Sequence, residues 1–126
     1  MDSTEFISKL NEVQEFMRQE NYKEAIILIE RLKELEKNGN FNYNLTHRLY
    51  QLDSNSRSLF NQQIILKTIN NLSNEYESIS FRELKQKLND LHNLDLSEEI
   101  LKREIEILIL RNLLSCRIYE EKIVFN

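Results

Sequence analysis

Ser78-Ile79-Ser80-Phe81-Arg82-Glu83-Leu84 is the stretch that decides the fold of this 126-residue chain. Ser80 and Glu83 have the spacing of a capping box, in which each side chain accepts a hydrogen bond from the backbone N–H of the other residue. This spacing predicts that a helix begins directly after Ser80. The short apolar segment before it, Ser78-Ile79-Ser80, is predicted to be a strand.

A second helix and a hairpin are predicted farther along the chain. Ser97 can cap a helix that continues to about Asn112, because acidic residues and an apolar stripe follow it. Beyond this helix the apolar period changes to alternation over Cys116–Tyr119, and the β-branched segment Lys122–Phe125 comes next. Two strands are therefore predicted, joined by a turn at Glu120-Glu121.

The first half of the chain is predicted to be helical throughout. Apolar residues at three- and four-residue steps predict helices over residues 3–20 and from Tyr22 to about Lys37, joined as a helical hairpin. Two more helices are expected at Tyr43–Leu52 and at Ser56–Leu72. The polar segment Asp53-Ser54-Asn55-Ser56, rich in residues that cap helices, is predicted to separate them.

These elements predict a mostly α fold with a small antiparallel sheet and two parts that pack as one unit. Residues 1–54 are expected to form a helical, repeat-like segment, because Phe16 and the segment from Asn21 to Ala25 resemble the junction of a tetratricopeptide repeat. An ordinary helical hairpin would use the same packing. Residues 55–126 have the order of elements of a winged-helix domain.

One family combines helical repeats with a winged helix. Tyr76–Leu84, Ile105–Ile109, Leu113, Ile118 and Val124-Phe125 resemble PCI domains, which occur in scaffold subunits of the proteasome lid, the COP9 signalosome and translation initiation factor three. Asn112 and Tyr119 stand where that family usually has Gly and Asp. The segment Ile100–Ile109 is equally similar to the C-terminal winged helix of cullins. The PCI resemblance implies a non-enzymatic role in a multisubunit complex.

Composition argues against catalysis and against bound cofactors. The chain has one glycine, so it has no glycine-rich phosphate loop, and one cysteine, so it cannot form an internal disulfide. His47 and His92 have no partner at metal-ligand spacing, and Cys116 is interpreted as a core residue. We therefore predict no enzyme activity, no catalytic or metal-binding residue, no cofactor and no small-molecule substrate.

The predicted setting is the cytoplasm, the nucleus or both. The first residues lack the basic and apolar regions of a secretory signal. The longest apolar run, Ala25–Ile29, is far too short to cross a bilayer, so no membrane association is expected. A single cysteine agrees with a reducing compartment.

The expected partners are other protein subunits. The predicted first helix carries more large apolar residues than one neighbouring helix must cover, and the final strand is predicted to offer a free edge to a neighbouring strand. The residues predicted to form the interface are Phe6, Phe16, Met17, Lys122, Ile123, Val124 and Phe125. The sequence thus favours a scaffold subunit that docks through its winged helix and its first helix.

The alternative is a winged-helix protein that binds nucleic acid in transcription or replication. Its basic contacts would be Lys102, Arg103, Arg111, Arg117 and Lys122. On the predicted surface of the last helix, however, three bases face four acids, Glu98, Glu99, Glu104 and Glu106. Such a surface does not neutralise phosphates. We therefore predict that the chain binds duplex DNA no better than an ordinary acidic protein at physiological salt.

Overall fold

The computed structural model describes residues 2–126. It is mostly helical with one small antiparallel sheet, which confirms the predicted fold class. The elements in chain order are α1 (Ser3–Arg18), α2 (Tyr22–Asn38), α3 (Tyr43–Leu72), β1 (Ser78–Ser80), α4 (Phe81–His92), α5 (Glu98–Leu110), β2 (Cys116–Tyr119) and β3 (Lys122–Phe125). By packing, the chain divides into two compact units, with the division between Phe60 and Asn61.

The first unit is a set of packed helices with its own apolar core. Asp2 caps α1 by accepting a hydrogen bond from the backbone N–H of Glu5 at 2.8 Å, and α1 packs against α2. The small, fully buried side chain of Ala25 belongs to this core. The buried residues of the core are Phe6, Leu10, Val13, Ala25, Ile29, Leu32, Leu45, Leu49 and Leu52.

Helix α3 corrects one prediction, because it continues through the polar segment that was expected to end a helix at residue 53. Asp53 does not turn back to the backbone; its carboxylate contacts Lys33 of α2 at 2.6 Å and Arg57 one turn later at 2.8 Å. The Ser56 hydroxyl donates to the backbone carbonyl of Asp53 at 3.1 Å. The polar groups that compete with helix formation are thus satisfied with the helix intact.

The second unit, Asn61–Asn126, contains the sheet and the two capped helices. The strand order is β1-β3-β2, and both pairs are antiparallel. The three strands and the period change after α5 are as the sequence predicted. The inner face of the sheet packs on the core of this unit, and its residues are Ile79, Cys116, Ile118, Ile123 and Phe125.

Both predicted N-cap residues in this unit are confirmed, and the Glu83 carboxylate accepts a hydrogen bond from the Ser80 hydroxyl at 3.1 Å. The Ser80 hydroxyl accepts a hydrogen bond from the Glu83 N–H at 3.1 Å, and the Ser97 hydroxyl accepts one from the Ile100 N–H at 3.2 Å. Each bond satisfies a backbone donor that the first turn of the helix leaves open. The caps fix where α4 and α5 begin and therefore which residues they bury. The second core contains Leu84 and Leu88 of α4 and Leu101, Ile105 and Leu108 of α5.

Candidate protein-interaction surface

The apolar residues of α1 that the sequence assigned to an interface are core residues or partly covered. Phe6 is completely buried, and its ring stacks on Phe41 with the centroids 4.3 Å apart. Phe16 and Met17 are half-buried and pack against the same core. The prediction that Phe6 is an interface residue is wrong, because its side chain is completely buried in the core of the first unit.

The prediction of a free edge on the last strand is also wrong. β3 is the central strand, with Ile123 opposite Ile79 of β1 on one side and opposite Ile118 of β2 on the other. Ile123 is fully buried, Val124 and Phe125 are half-buried, and Lys122 alone of the four is exposed. The sequence identified the strands but not their order, because the pairing of β1 with β3 joins segments far apart in the chain.

The five basic residues proposed for nucleic-acid contact fall into two groups. Lys102, Arg103 and Arg111 are exposed along α5 and just after it, whereas Arg117 and Lys122 are exposed on the sheet. The exposed acids of α5 are Glu98, Glu99 and Glu106, because Glu104 is only 1% exposed. The predicted excess of acids on this helix is therefore wrong, and exposed acids and bases are equal in number.

Glu104 is held inside the second unit by hydrogen bonds to side chains. Its carboxylate accepts a bond from the amide of Gln62 at 2.9 Å, and a second carboxylate oxygen lies 3.4 Å from the Arg103 guanidinium. The Gln62 carbonyl in turn accepts from Arg111 at 2.6 Å. A buried carboxylate is tolerated only when such partners replace water. This network ties α3 to α5 within the unit.

The outer face of the sheet gathers two of the predicted basic residues. Arg117 lies opposite Val124, and Tyr119 lies opposite Lys122. Since opposite residues share a face, these four side chains form two neighbouring rows. The rows are completed by Ser78 and Ser80 of β1. The six outer positions of the described strands carry two cations, one largely exposed tyrosine and no acidic side chain.

The end of α5 has a defined C-cap. Asn112 has φ of 59°, in the left-handed region, and its N–H bonds to the Ile109 carbonyl at 3.0 Å. The Leu113 N–H bonds to the Leu108 carbonyl at 2.9 Å. These are the two hydrogen bonds of a Schellman motif, which ends a helix and fixes the path of the next residues. Asn tolerates this conformation better than most residues.

This cap leaves two leucines in solvent. Leu110, the last residue of α5, is 81% exposed, and Leu113, which follows the cap, is 45% exposed. We call these two residues the α5 leucine pair. The buried stripe of α5 runs through Leu101, Ile105 and Leu108, and position 110 lies about 200° around the helix from position 108. That spacing was visible in the sequence and would have identified Leu110 as exposed.

Two shallow pockets lie in the second unit. One of about 200 Å³ is lined by Ile69, Asn70, Ser73, Leu114, Ser115, Cys116, Phe125 and Asn126. Burial raises the pKa of the Cys116 thiol, which disfavours the thiolate that a nucleophile needs. The other pocket, of about 220 Å³, is lined by Phe81, Glu98, Glu99, Lys102 and Glu121.

Residues 2–126 contain neither a candidate metal cluster nor a helix that could span a membrane. No group of three His, Cys, Asp or Glu side chains in this range is placed to hold a metal ion. Within the same range no helix has both the length and the apolar character needed to span a bilayer. Comparisons with protein-family models, curated proteins and solved structures found no significant match.

Proposed function

We propose that this chain is a non-enzymatic interaction subunit of a multisubunit complex in the cytoplasm or nucleus, and that it docks through the α5 leucine pair. The observation that carries the proposal is the exposure of Leu110 and Leu113 at a rigidly capped helix end. Fully burying a leucine side chain is worth about 1.5–3 kcal/mol. Leu110 and Leu113 can therefore anchor a partner with an apolar groove.

We further propose that residues 61–126 are a winged-helix unit of the PCI type. The order strand, helix, helix, hairpin and the central position of β3 support this interpretation. The resemblance of Tyr76–Leu84 to the PCI entry segment points the same way. In this proposal the last helix presents leucines to a protein instead of presenting a basic surface to DNA.

The charges around the leucine pair agree with a protein partner. Among the exposed residues of α5 and its cap, acids and bases are balanced, so the helix provides no strong field to attract a polyanion. Balanced charge around an apolar centre is the usual anatomy of a protein interface, in which a polar rim surrounds buried anchor residues. The partner is therefore expected to bring an apolar pocket rimmed by both charge signs.

Site-specific photo-crosslinking tests this function in cells that naturally contain the protein. A benzophenone amino acid at position 110 is expected to give a discrete protein adduct, and the same residue at position 106, exposed on the same helix, is the matched control. Adding Leu113→Asp to the position-110 chain should abolish the adduct. Equal adducts from both positions, or an adduct that Leu113→Asp leaves unchanged, would refute docking through the leucine pair.

Nucleic-acid binding is the second candidate, and the outer sheet face is the observation that favours it. Arg117 and Lys122 share this face with Tyr119, which is 64% exposed. Cations next to an exposed aromatic ring are the elements that bind a single strand by phosphate contact and base stacking. The proposal therefore concerns the sheet and a single strand, not α5 and a duplex.

Fluorescence anisotropy with labelled single-stranded and duplex oligonucleotides distinguishes the two functions. The interaction-subunit proposal predicts negligible binding of both at physiological salt. Submicromolar binding of the single strand that weakens steeply with salt would support the second candidate. Loss of that binding in Tyr119→Ala, with Leu110→Ala as the matched control, would then assign it to the sheet.

A further inference from the structure

A polar contact joins α3 to the end of α5 that carries the leucine pair. Gln62 of α3 is 5% exposed, and both polar atoms of its side-chain amide are engaged. The amide nitrogen donates to the Glu104 carboxylate at 2.9 Å, and the amide oxygen accepts from the Arg111 guanidinium at 2.6 Å. We call these three residues the Gln62 clamp. Positions 104 and 111 lie about two helical turns apart, so the clamp spans the second half of α5 and its C-cap.

The two partners leave the Gln62 amide one orientation. An ionised carboxylate can only accept hydrogen bonds, and a guanidinium can only donate them. An amide satisfies both partners, because it has a donor and an acceptor on one planar group. An apolar side chain at this position would lose both bonds, and a carboxylate would lose the bond to Glu104. The buried position between an anion and a cation therefore favours an amide.

The end of α5 has few buried side chains of its own. Residues 110–113 are all exposed, and the next buried residue is Leu114. Asn112 has φ of 59°, which is unfavourable for a residue with a Cβ atom. Helix ends with few buried contacts open locally more easily than the rest of a helix. Because Arg111 is the C-cap residue, anchoring its side chain to a buried residue of α3 opposes this opening.

We propose that the Gln62 clamp regulates the docking surface by holding the last turn of α5 in the conformation that presents Leu110 and Leu113. The regulatory part of this inference rests on the proposed docking function, whereas the structural part concerns the chain alone. Without the clamp the last turn opens, and the two leucines lose their fixed positions at a capped helix end. A partner then binds only the closed fraction of molecules, and its apparent affinity falls with that fraction.

Amide hydrogen exchange, measured by NMR on the purified full chain, tests the clamp without a partner. The reporters are the N–H groups of Asn112 and Leu113, which form the Schellman hydrogen bonds. Gln62→Met keeps a side chain of similar size, removes both clamp bonds and should speed exchange of the reporters about tenfold, the scale of a hydrogen bond to a charged group. The N–H of Leu88 in α4 reports on opening of the whole unit. Equal acceleration at Leu88 and at the reporters would overturn the proposal.

A second variant breaks the clamp from its exposed end and leaves Glu104 paired with Gln62. Arg111→Met should speed exchange of the same reporters, whereas Lys102→Met, which removes another exposed cation of α5, should leave it unchanged. The double variant Gln62→Met/Arg111→Met should match Gln62→Met within about twofold, because both substitutions break one interaction. Additive effects would show that Arg111 acts only through its charge near the helix end, and would overturn the proposal.

Exchanging the two buried side chains should rescue the clamp. In Gln62→Glu/Glu104→Gln the new amide donates to the new carboxylate, which also accepts from Arg111. Exchange of the reporters should return to within about threefold of the wild type, because both hydrogen bonds are kept. Exchange as fast as in Gln62→Met would overturn the proposal, since the same groups would be present without holding the helix end.

Photo-crosslinking from position 110 separates this inference from docking itself. If about one tenth of wild-type molecules are open at this end, a tenfold shift leaves about half of them open, and the adduct should fall about twofold in Gln62→Met. An unchanged adduct together with faster exchange of the reporters would overturn regulation and leave docking standing. The absence of an adduct from the wild type would refute docking, while the exchange rates still decide whether the clamp holds the helix end.

Discussion

Helices α1 and α5 end in the same way but use their last apolar residues differently. Each closes with two Schellman hydrogen bonds around a non-glycine residue in the left-handed region, Glu20 after α1 and Asn112 after α5. The Asn21 N–H bonds to the Phe16 carbonyl at 2.8 Å, as the Leu113 N–H bonds to Leu108. Yet Phe16 and Met17 pack on a core, whereas the α5 leucine pair lies in solvent.

This difference shows that an excess of apolar residues on a helix does not by itself identify an interface. The first unit is built from helices alone and takes Phe6, Phe16 and Met17 into or against its core. The second unit buries one stripe of α5, Leu101, Ile105 and Leu108, and Leu110 lies off that stripe. Exposure after all internal packing is therefore the observation on which docking through Leu110 and Leu113 is proposed.

Truncating one apolar side chain in α1 and one in α5 should have very different effects on stability. Phe6→Ala removes a fully buried ring that stacks on Phe41 and is expected to lower the free energy of unfolding by about 3–5 kcal/mol. Leu110→Ala should change it by less than about 0.5 kcal/mol, because this side chain is in water. Urea denaturation followed by circular dichroism measures both. Equal losses would break the contrast between core and interface.

Removing the buried carboxylate of Glu104 tests how much its hydrogen bond to Gln62 stabilises the second unit. Glu104→Ala leaves Gln62 without its carboxylate acceptor and should cost about 1.5–3 kcal/mol. Glu106→Ala, two residues along and exposed, is the matched control and should be nearly neutral. The same denaturation assay applies. A neutral Glu104→Ala would mean that the network does not stabilise the unit.

The first unit should show a dependence on pH that originates at Asp53. Burial acts to raise the pKa of Asp53, but hydrogen bonds from Lys33 and Arg57 outweigh it and hold the pKa below its ordinary value of 3.8. A carboxylate with a lowered pKa in the folded state stabilises the fold above its unfolded pKa, and this contribution disappears as pH falls through the folded pKa.

The variant Asp53→Asn isolates that contribution. The free energy of unfolding of the wild type should exceed that of the variant by about 1 kcal/mol at neutral pH. This is the scale of a partly exposed ion-pair cluster. The difference should shrink below pH 3.8 as Asp53 is protonated. Thermal unfolding across the acid range provides the measurement. A difference that stays constant down to the lowest pH would show that the Asp53 charge contributes nothing.

The smallest effect on stability is expected at the residues of the second unit whose backbone lies in the left-handed region. Glu120 has φ of 56°, which suits glycine, so Glu120→Gly should raise the free energy of unfolding by about 0.5–1 kcal/mol. Asn112→Gly should raise the free energy of unfolding by less, because Asn tolerates the left-handed region. If Asn112→Gly were the more stabilising of the two, the C-cap would be more strained than its hydrogen bonds indicate.

Local signals in the sequence predicted most of the fold. The spacings of Ser80 with Glu83 and of Ser97 with its acidic first turn located α4 and α5, and the change of period located β2 and β3. Each of these signals acts over a few residues. The polar stretch at Asp53 misled the prediction, because the ion pair that keeps it helical comes from Lys33 on another helix.

The candidate site was much less predictable, because it depends on contacts between distant segments. The burial of Glu104 requires Gln62 from α3, and the central position of β3 requires β1. Neither contact leaves a pattern in the local sequence. Leu110 was the exception, since its angle to the buried stripe of α5 could be counted from the sequence alone.

The native size of the protein in extracts of its own cells tests the central claim most directly. Wild type is expected to elute in gel filtration with a larger assembly, and Leu110→Asp/Leu113→Asp should elute as the free chain while keeping the wild-type unfolding curve. The matched control Lys102→Asp, also on α5, should stay in the assembly. If the double variant remains in the assembly as the wild type does, the α5 leucine pair is not the docking surface.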